Sequence, residues 1–177
     1  MVAKIPPRYL APNLEIPNWG IAPYVDGRGL CLCGPVGSGK TTALCLIAYE
    51  ACLAKIRSGE LKEIPWRFIS FPAFVMQLQN AWRSETSEQT AYALLKAMAE
   101  MPCLIIDDLG AEKLTDYVRQ ATYYLINERE QWERPTYLTT NFSLSDLDKQ
   151  FDSRISSRIA GMCDVKALKG KDRRLER

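Results

Sequence analysis

Residues 34–41 could bind the phosphates of a nucleotide. They match the pattern G-x-x-x-x-G-K-[ST] at every fixed position, between an apolar run and a helix-like stretch. The glycines let backbone N–H groups converge on a phosphate, and the following helix directs its positive end to the same place. We expect Lys40 to reach the β- and γ-phosphates and the Thr41 hydroxyl to ligate Mg²⁺. The candidate nucleotide-binding residues are Gly34, Pro35, Val36, Gly37, Ser38, Gly39, Lys40, Thr41 and Thr42.

Two carboxylates follow a second apolar run and could serve a metal ion and a water molecule. Residues 103–106 predict a buried strand, and Asp107 and Asp108 come directly after it. Ligands bind at this end of the strands in an open parallel sheet. We expect Asp107 to hold Mg²⁺ beside Thr41, and Asp108 to orient and activate the attacking water. The alternative is a strand-end pair that caps a neighbouring helix.

An uncharged amide, Asn141, ends the next predicted strand. It could hydrogen-bond the γ-phosphate or the attacking water, although asparagine is also common at strand ends because it favours turns. The chain contains no histidine, the commonest general base. A proton acceptor is therefore expected to be a carboxylate.

Strands and helices alternate along the chain. Apolar runs and helical spacing predict strands at 30–33, 66–71, 103–108, 135–141 and 162–168, with helices at 41–55, from 72, 87–100, 115–132 and 152–160. Phe74, Leu78 and Trp82 are expected to form one helix face, and Ser143 with Asp146 indicates a further helix start. This order predicts a three-layer α/β fold with a mostly parallel central sheet.

The composition fits a single domain without a membrane span. The chain has 177 residues, a hydrophobic fraction of 47% and a net charge of +2. No apolar stretch approaches the roughly 20 residues that cross a bilayer, and the start does not resemble a signal peptide, so we expect a cytoplasmic protein. Residues 1–28 are proline-rich and are expected to form an extended strap. The six cysteines include no C-x-x-C pair and are expected to be buried core residues.

Several short motifs follow one another in a specific order. Residues 104–112 read LIIDDLGAE, and TTN, SRI and GKDRR follow at 139–141, 157–159 and 170–174. Together with the phosphate loop and the opening IPPRYL, they resemble the AAA+ ATPase core of DnaC/DnaI-type replicative helicase loaders and the related IstB transposition helpers. The resemblance covers nearly the whole chain. It implies a P-loop NTPase fold of the AAA+/RecA-like kind over residues 29–177, without a large lid domain.

The resemblance also implies catalytic roles by position. It places Asp108 at the catalytic carboxylate, Asn141 at sensor 1, Arg158 at the arginine finger and Arg174 at sensor 2. Arg154, one helical turn before Arg158, is a second candidate finger. The run 154–162 contains no acid that could pair with Arg158 within a helical turn. Many AAA+ proteins have Glu where this chain has Asp108, which is one methylene shorter, so slow hydrolysis is expected.

Three function hypotheses remain open at this point. The first is an ATPase that uses ATP and Mg²⁺, forms a homo-oligomer with the finger supplied in trans, and loads a replicative helicase or holds single-stranded DNA. The second is an IstB-like transposition helper or nucleotide-dependent adaptor with little ATPase activity. The third is a small-molecule kinase, which would leave Asn141 and Arg158 unexplained. Loaders usually carry an additional N-terminal domain, so we expect either a minimal form or a shortened piece.

Aromatic side chains near basic residues suggest contact with single-stranded DNA. Phe71, Phe74, Trp82 and Arg83 lie in the segment between the second predicted strand and the strand before Asp107. Bases stack on aromatic rings, a contact worth about 1–3 kcal/mol per base. The alternative is that Phe74 and Trp82, at helical spacing, belong to the core.

Overall fold

Strands and helices alternate in the structure as the sequence predicts. The computed structural model describes residues 6, 9, 28–59, 66–83, 87–112 and 114–169. Its strands are β1 (Gly29–Cys33), β2 (Trp66–Ser70), β3 (Cys103–Asp107), β4 (Thr136–Thr140) and β5 (Cys163–Ala167). Its helices are α1 (Lys40–Arg57), α2 (Phe71–Arg83), α3 (Ser87–Glu100), α4 (Asp116–Gln131), α5 (Leu144–Gln150) and α6 (Ser153–Met162). Most of these bounds lie within two residues of the predicted ones.

The five described strands form one sheet in the order β2-β3-β4-β1-β5, and every neighbouring pair is parallel. The carboxyl ends of β1, β4 and β3 therefore lie side by side at one edge. The phosphate loop follows β1, the two acids close β3, and Asn141 follows β4. The predicted three-layer α/β fold is confirmed, and its strand order brings the chemically capable residues together.

Helices cover both faces of the sheet, which explains why β1, β3 and β4 are buried at every residue. Alternate strand residues contribute to two core clusters. Cys31 and Cys33 join the cluster under α2, α3, α4 and α6, whereas Leu30 and Leu32 join the cluster under α1. The cysteines that the structure describes in full are all buried, as expected for core residues.

The predicted buried face of α2 is only partly confirmed. Phe74 and Leu78 are 4% and 2% exposed, but Trp82 is 47% exposed. Trp82 lies in the last turn of α2, where its ring packs on Tyr117 of α4 at a centroid distance of 5.0 Å instead of entering the core. Tyr124 of α4, which the helical spacing predicts to be buried, is only half-buried beside Tyr92 of α3.

Most of the predicted strap, residues 1–28, lies outside the described residues. Of its described residues, Tyr9 is buried in the cluster under α1, and its ring lies 6.1 Å from that of Phe68. The described helices include none that is both long and apolar enough to span a bilayer.

A buried arginine joins three elements on the α4 side of the sheet. Arg129 is completely buried, and its guanidinium makes five hydrogen bonds of 2.7–3.2 Å with no carboxylate among them. The acceptors are the Thr136 hydroxyl and the carbonyls of Met98, Ala99, Met101 and Pro135. Burial lowers the pKa of Arg129 to about 10, which still leaves the side chain protonated at neutral pH. The charge is stabilised by the carbonyl end of α3, where the helix dipole is negative.

We expect Arg129→Met to destabilise the fold by about 3 kcal/mol, because it leaves several buried carbonyls without a donor. The free energy of unfolding from urea titration measures the effect. Arg134→Met is the matched control: Arg134 donates a 2.8 Å hydrogen bond to Ala99 O but is half-exposed, so its loss should cost about 1 kcal/mol. Equal losses for the two variants would show that the buried network does not hold this side of the fold together.

Candidate nucleotide-binding site

The loop between β1 and α1 has the backbone shape that its glycines were expected to provide. Gly34 and Gly39 have φ values of 148° and 89°, in the region that favours glycine. A Cβ atom at Gly34 would lie 2.4 Å from Leu168 O, so no other residue fits there without a shift. Gly39 is the N-cap of α1, and Thr42 lies in the first turn. The positive end of α1 thus faces the loop.

Lys40 and Asn141 meet at the centre of the site. The Lys40 ammonium donates to Asn141 Oδ1 at 2.9 Å and to the carbonyls of Gly34 and Pro35 at 2.9 and 2.8 Å. Because Lys40 has to reach the phosphates, its side chain was expected to be accessible at the loop. It is only 5% exposed, so that expectation is wrong. The physical reason is that the loop folds over the ammonium and supplies acceptors at short distance. The contact confirms that the ends of β1 and β4 converge on one point.

A carboxylate and two hydroxyls form the second part of the site. Asp107 Oδ1 accepts hydrogen bonds from Thr41 Oγ1 at 2.7 Å and Thr139 Oγ1 at 2.6 Å. Burial raises the pKa of Asp107, and these two hydrogen bonds act in the opposite direction. Protons and a metal ion compete for the same oxygens, so a Mg²⁺ ion held here would bind more weakly as pH falls through this raised pKa.

The donors present fit Mg²⁺. Magnesium binds oxygen ligands and usually keeps several waters and substrate phosphates in its shell. Thr41 and Asp107 would hold it, since their side-chain oxygens already converge. In the described part of the chain no group of three His, Cys, Asp or Glu residues could hold a metal, so phosphate and water would complete the shell.

Thr139 fixes both acids, and sequence reasoning gave it no role. Its hydroxyl donates to Asp107 and accepts the Asp108 N–H at 2.8 Å, while its carbonyl accepts the Leu109 N–H at 2.8 Å. Asp108 has φ of 57°, a left-handed conformation that costs free energy in a non-glycine residue. The two hydrogen bonds from this turn to Thr139 hold that conformation. The available signal was the pair of threonines at the carboxyl end of the strand that precedes Asn141.

The predicted finger lies on α6 and contacts α4. Arg158 Nε lies 3.0 Å from Asn127 Oδ1 and 3.1 Å from Glu130 Oε2, and the guanidinium stacks on Tyr123. Arg154 stacks on the same ring and pairs with Asp152 at 2.6 Å. The contacts described for Arg158 are thus with α4 and α6, and none joins it to the phosphate loop of its own chain.

Arg174, the predicted sensor 2, lies outside the described residues.

The fold and the site together define the class of protein. A phosphate loop before α1, an acid at the end of β3 and an amide after β4 are the arrangement typical of the nucleotide site in a P-loop NTPase. The match to the family described as IstB-like ATP binding protein covers residues 22–177, and the chain belongs to this family. The AAA+ resemblance inferred from the motifs is confirmed.

Similar proteins include helicase loaders. The chain is 31% identical over 161 residues to the replicative helicase loader DnaI of Bacillus subtilis (strain 168), covering 84% of this chain and 48% of the relative. The chain thus spans about half the length of that curated relative. Among solved structures, the DnaC helicase loader matches with 26% identity, TM-score 0.63 and coverage of 84% and 82%. A DnaI structure matches with 27% identity, TM-score 0.64 and coverage of 85% and 76%.

We expect Thr139→Val to weaken Mg²⁺-dependent ATP binding about 10- to 100-fold, the usual effect of removing a residue that orients a metal ligand. Titration with a fluorescent ATP analogue, in Mg²⁺ and in EDTA, measures this. The loss should occur only with Mg²⁺, because Thr139 reaches the phosphates through the metal ligand. Thr139→Ser keeps the hydroxyl and serves as the control. An equal loss in EDTA would contradict this positioning role.

Proposed function

We propose that this protein binds and hydrolyses ATP as a nucleotide-gated loader of a replicative helicase in DNA replication. The observation that carries the proposal is the convergence of Lys40, Asn141, Thr41 and Asp107 at one edge of the sheet, within direct hydrogen-bond distances. The similarity to DnaI and DnaC loaders supports the choice of partner. The cofactors are ATP and Mg²⁺.

In the proposed hydrolysis a water attacks the γ-phosphorus, the bond to the β-phosphate oxygen breaks, and ADP and phosphate leave. Lys40 exchanges its loop carbonyls for phosphate oxygens and offsets their charge. Asp108 accepts the proton of the attacking water, and Asn141 hydrogen-bonds that water or the γ-phosphate. The Asp108 carboxylate has a shorter reach than a glutamate, so turnover is slow until oligomerisation or DNA improves the geometry.

The arginines complete the site between subunits. Arg158 contacts α4 of its own chain and not its own phosphate loop, and its side chain is 26% exposed. In the proposed homo-oligomer it reaches the γ-phosphate of a neighbouring subunit. A finger of this kind is worth about 10³–10⁵ in kcat. Arg154 is the second candidate, and Arg174 is proposed as sensor 2 within the subunit.

The family match favours a second candidate function. IstB-like ATP binding proteins give the family its description, so an adaptor that binds ATP with little turnover is the competing proposal. Steady-state ATPase assays with and without single-stranded DNA separate the two. Turnover that single-stranded DNA stimulates favours the loader, and ATP binding without turnover in either condition favours the adaptor.

We expect Lys40→Ala to abolish ATP binding and Asp108→Asn to retain it while losing turnover. Lys40 supplies charge to the phosphates, whereas Asp108 acts only on the attacking water. Equilibrium ATP binding and single-turnover hydrolysis measure the two effects, and circular dichroism checks the fold because Lys40 is buried. Wild-type ATP affinity in Lys40→Ala would refute the assignment of the loop. Lost binding in Asp108→Asn would refute the role of that acid.

Of the three aromatic residues proposed to contact single-stranded DNA, only one has an exposed side chain. Phe71 and Phe74 are 1% and 4% exposed and cannot stack on a base, whereas Trp82 remains accessible. The Arg83 side chain lies outside the described part of the chain. Trp82 is thus the stacking residue of the proposed DNA contact.

We expect Trp82→Ala to weaken single-stranded DNA binding about 5- to 100-fold, the equivalent of one stacked base. Fluorescence anisotropy with a labelled oligonucleotide at low salt, with and without ATP, measures it. Trp132→Ala is the control, because Trp132 is 65% exposed but follows the far end of α4. Similar losses for both variants would argue against a specific contact, and no binding by wild type would remove DNA as a partner.

A further inference from the structure

Arg158 is held by α4 through several different contacts. Its Nε contacts Glu130 Oε2 and Asn127 Oδ1 at 3.1 and 3.0 Å, and its Nη2 donates to the Tyr123 hydroxyl at 3.3 Å. The guanidinium lies 5.0 Å from the centre of the Tyr123 ring. An exposed ion pair alone contributes little to stability. Here one guanidinium combines a charge partner, an amide acceptor and a ring face, which fixes its position.

The carboxylate of Glu130 lies between α4 and α6. Its Oε2 atom lies 3.1 Å from Arg158 Nε. Its Oε1 atom lies close to Gly161, where an added Cβ atom would come within 3.3 Å of it. Arg158 and Gly161 are three residues apart on α6 and share a face of that helix. The absence of a side chain at Gly161 thus leaves room for Glu130 next to the arginine.

These contacts leave part of the guanidinium available. It has five N–H groups. Nε–H donates to Asn127 Oδ1, with the Glu130 carboxylate beside it as the charge partner. One Nη1–H donates to the Arg154 carbonyl and one Nη2–H to the Tyr123 hydroxyl. Within the described residues, the remaining two N–H groups, one on each terminal nitrogen, have no hydrogen-bond acceptor. Two such donors form the fork that binds a phosphate oxygen pair.

The exposure of this pair suits a contact with another subunit. The side chains of Arg158 and Glu130 are 26% and 36% exposed, so the arginine is ordered without being enclosed. Fixing a long, flexible side chain costs conformational entropy, and a side chain that is already ordered avoids this cost when it binds.

We propose that Glu130 is a positioning residue for the arginine finger: it holds Arg158 Nε so that the two free N–H groups meet the γ-phosphate of a neighbouring subunit. This inference rests on the proposed function, because it requires Arg158 to act in trans. Asn127 and Tyr123 assist the same placement. Glu130 itself touches neither nucleotide nor water.

The first experiment compares kcat and KM for ATP in oligomer-forming conditions. We expect Glu130→Ala to lower kcat about 3- to 30-fold, the range set by ordering one long side chain, with KM and ATP affinity unchanged. Glu130→Gln keeps the shape of the side chain and an oxygen beside Nε, and removes only the charge, so it should lose less turnover. Glu128→Ala, a half-buried acid on the same helix, is the control and should match wild type. Thermal unfolding of each variant excludes a general loss of structure.

The second experiment separates this inference from the finger model. Glu130→Ala should cause no further loss in an Arg158→Ala background. Mixing Glu130→Ala with Lys40→Ala subunits should restore turnover, because the latter carry an intact finger. If Arg158→Ala hydrolyses ATP like wild type, the finger model of the proposed function fails. Two results would overturn the positioning role of Glu130. The first is an inactive Arg158→Ala protein together with a Glu130→Ala protein that is as fast as wild type or faster. The second is a further loss of turnover when Glu130→Ala is added to Arg158→Ala.

Discussion

One carboxylate oxygen links the three elements that build the site. Asp107 Oδ1, at the end of β3, accepts the hydroxyl of Thr41 from the start of α1 and that of Thr139 from β4. These bonds require β3 to lie beside β4, and β4 beside β1, whose loop leads into α1. The strand order is therefore the condition for the chemistry. β4 supports both parts of the site: the Gly34 N–H donates to the Thr140 carbonyl at 3.2 Å, and Thr139 bonds both acids.

Buried polar groups on both sides of the sheet are satisfied by the chain itself. Lys40 is held by loop carbonyls and Asn141, and Arg129 by carbonyls and a hydroxyl around α3 and β4. In the described residues no buried side-chain nitrogen or oxygen atom lacks a hydrogen-bond partner. The two networks differ in where their acceptors lie. The acceptors of Arg129 lie around α3 and β4, whereas Lys40 takes two of its three acceptors from the phosphate loop itself.

Local pattern predicted the elements well, because apolar runs and helix stop signals are properties of neighbouring residues. The sequence also identified the chemistry of the loop and the acids, whose spacing is fixed by one loop or one strand end. Prediction from the sequence failed where the burial or the contacts of a side chain depend on segments that are distant in the chain. The burial of Lys40 depends on Asn141, 101 residues away. The contact of Arg158 with Glu130 requires α4 and α6 to pack, and the exposure of Trp82 depends on where α2 ends against α4. Thr139 belongs to the TTN motif at 139–141, but its contacts with Asp107 and Asp108 depend on the register between β3 and β4, which the sequence does not show.

The most direct test of the account is a crystal structure with Mg²⁺ and a non-hydrolysable ATP analogue. Mg²⁺ is expected at about 2.1 Å from Thr41 Oγ1, with Asp107 as a direct or water-mediated ligand. Lys40 is expected to leave the carbonyls of Gly34 and Pro35 for the β- and γ-phosphates. A nucleotide bound elsewhere, or a Mg²⁺ shell that excludes both Thr41 and Asp107, would contradict the account.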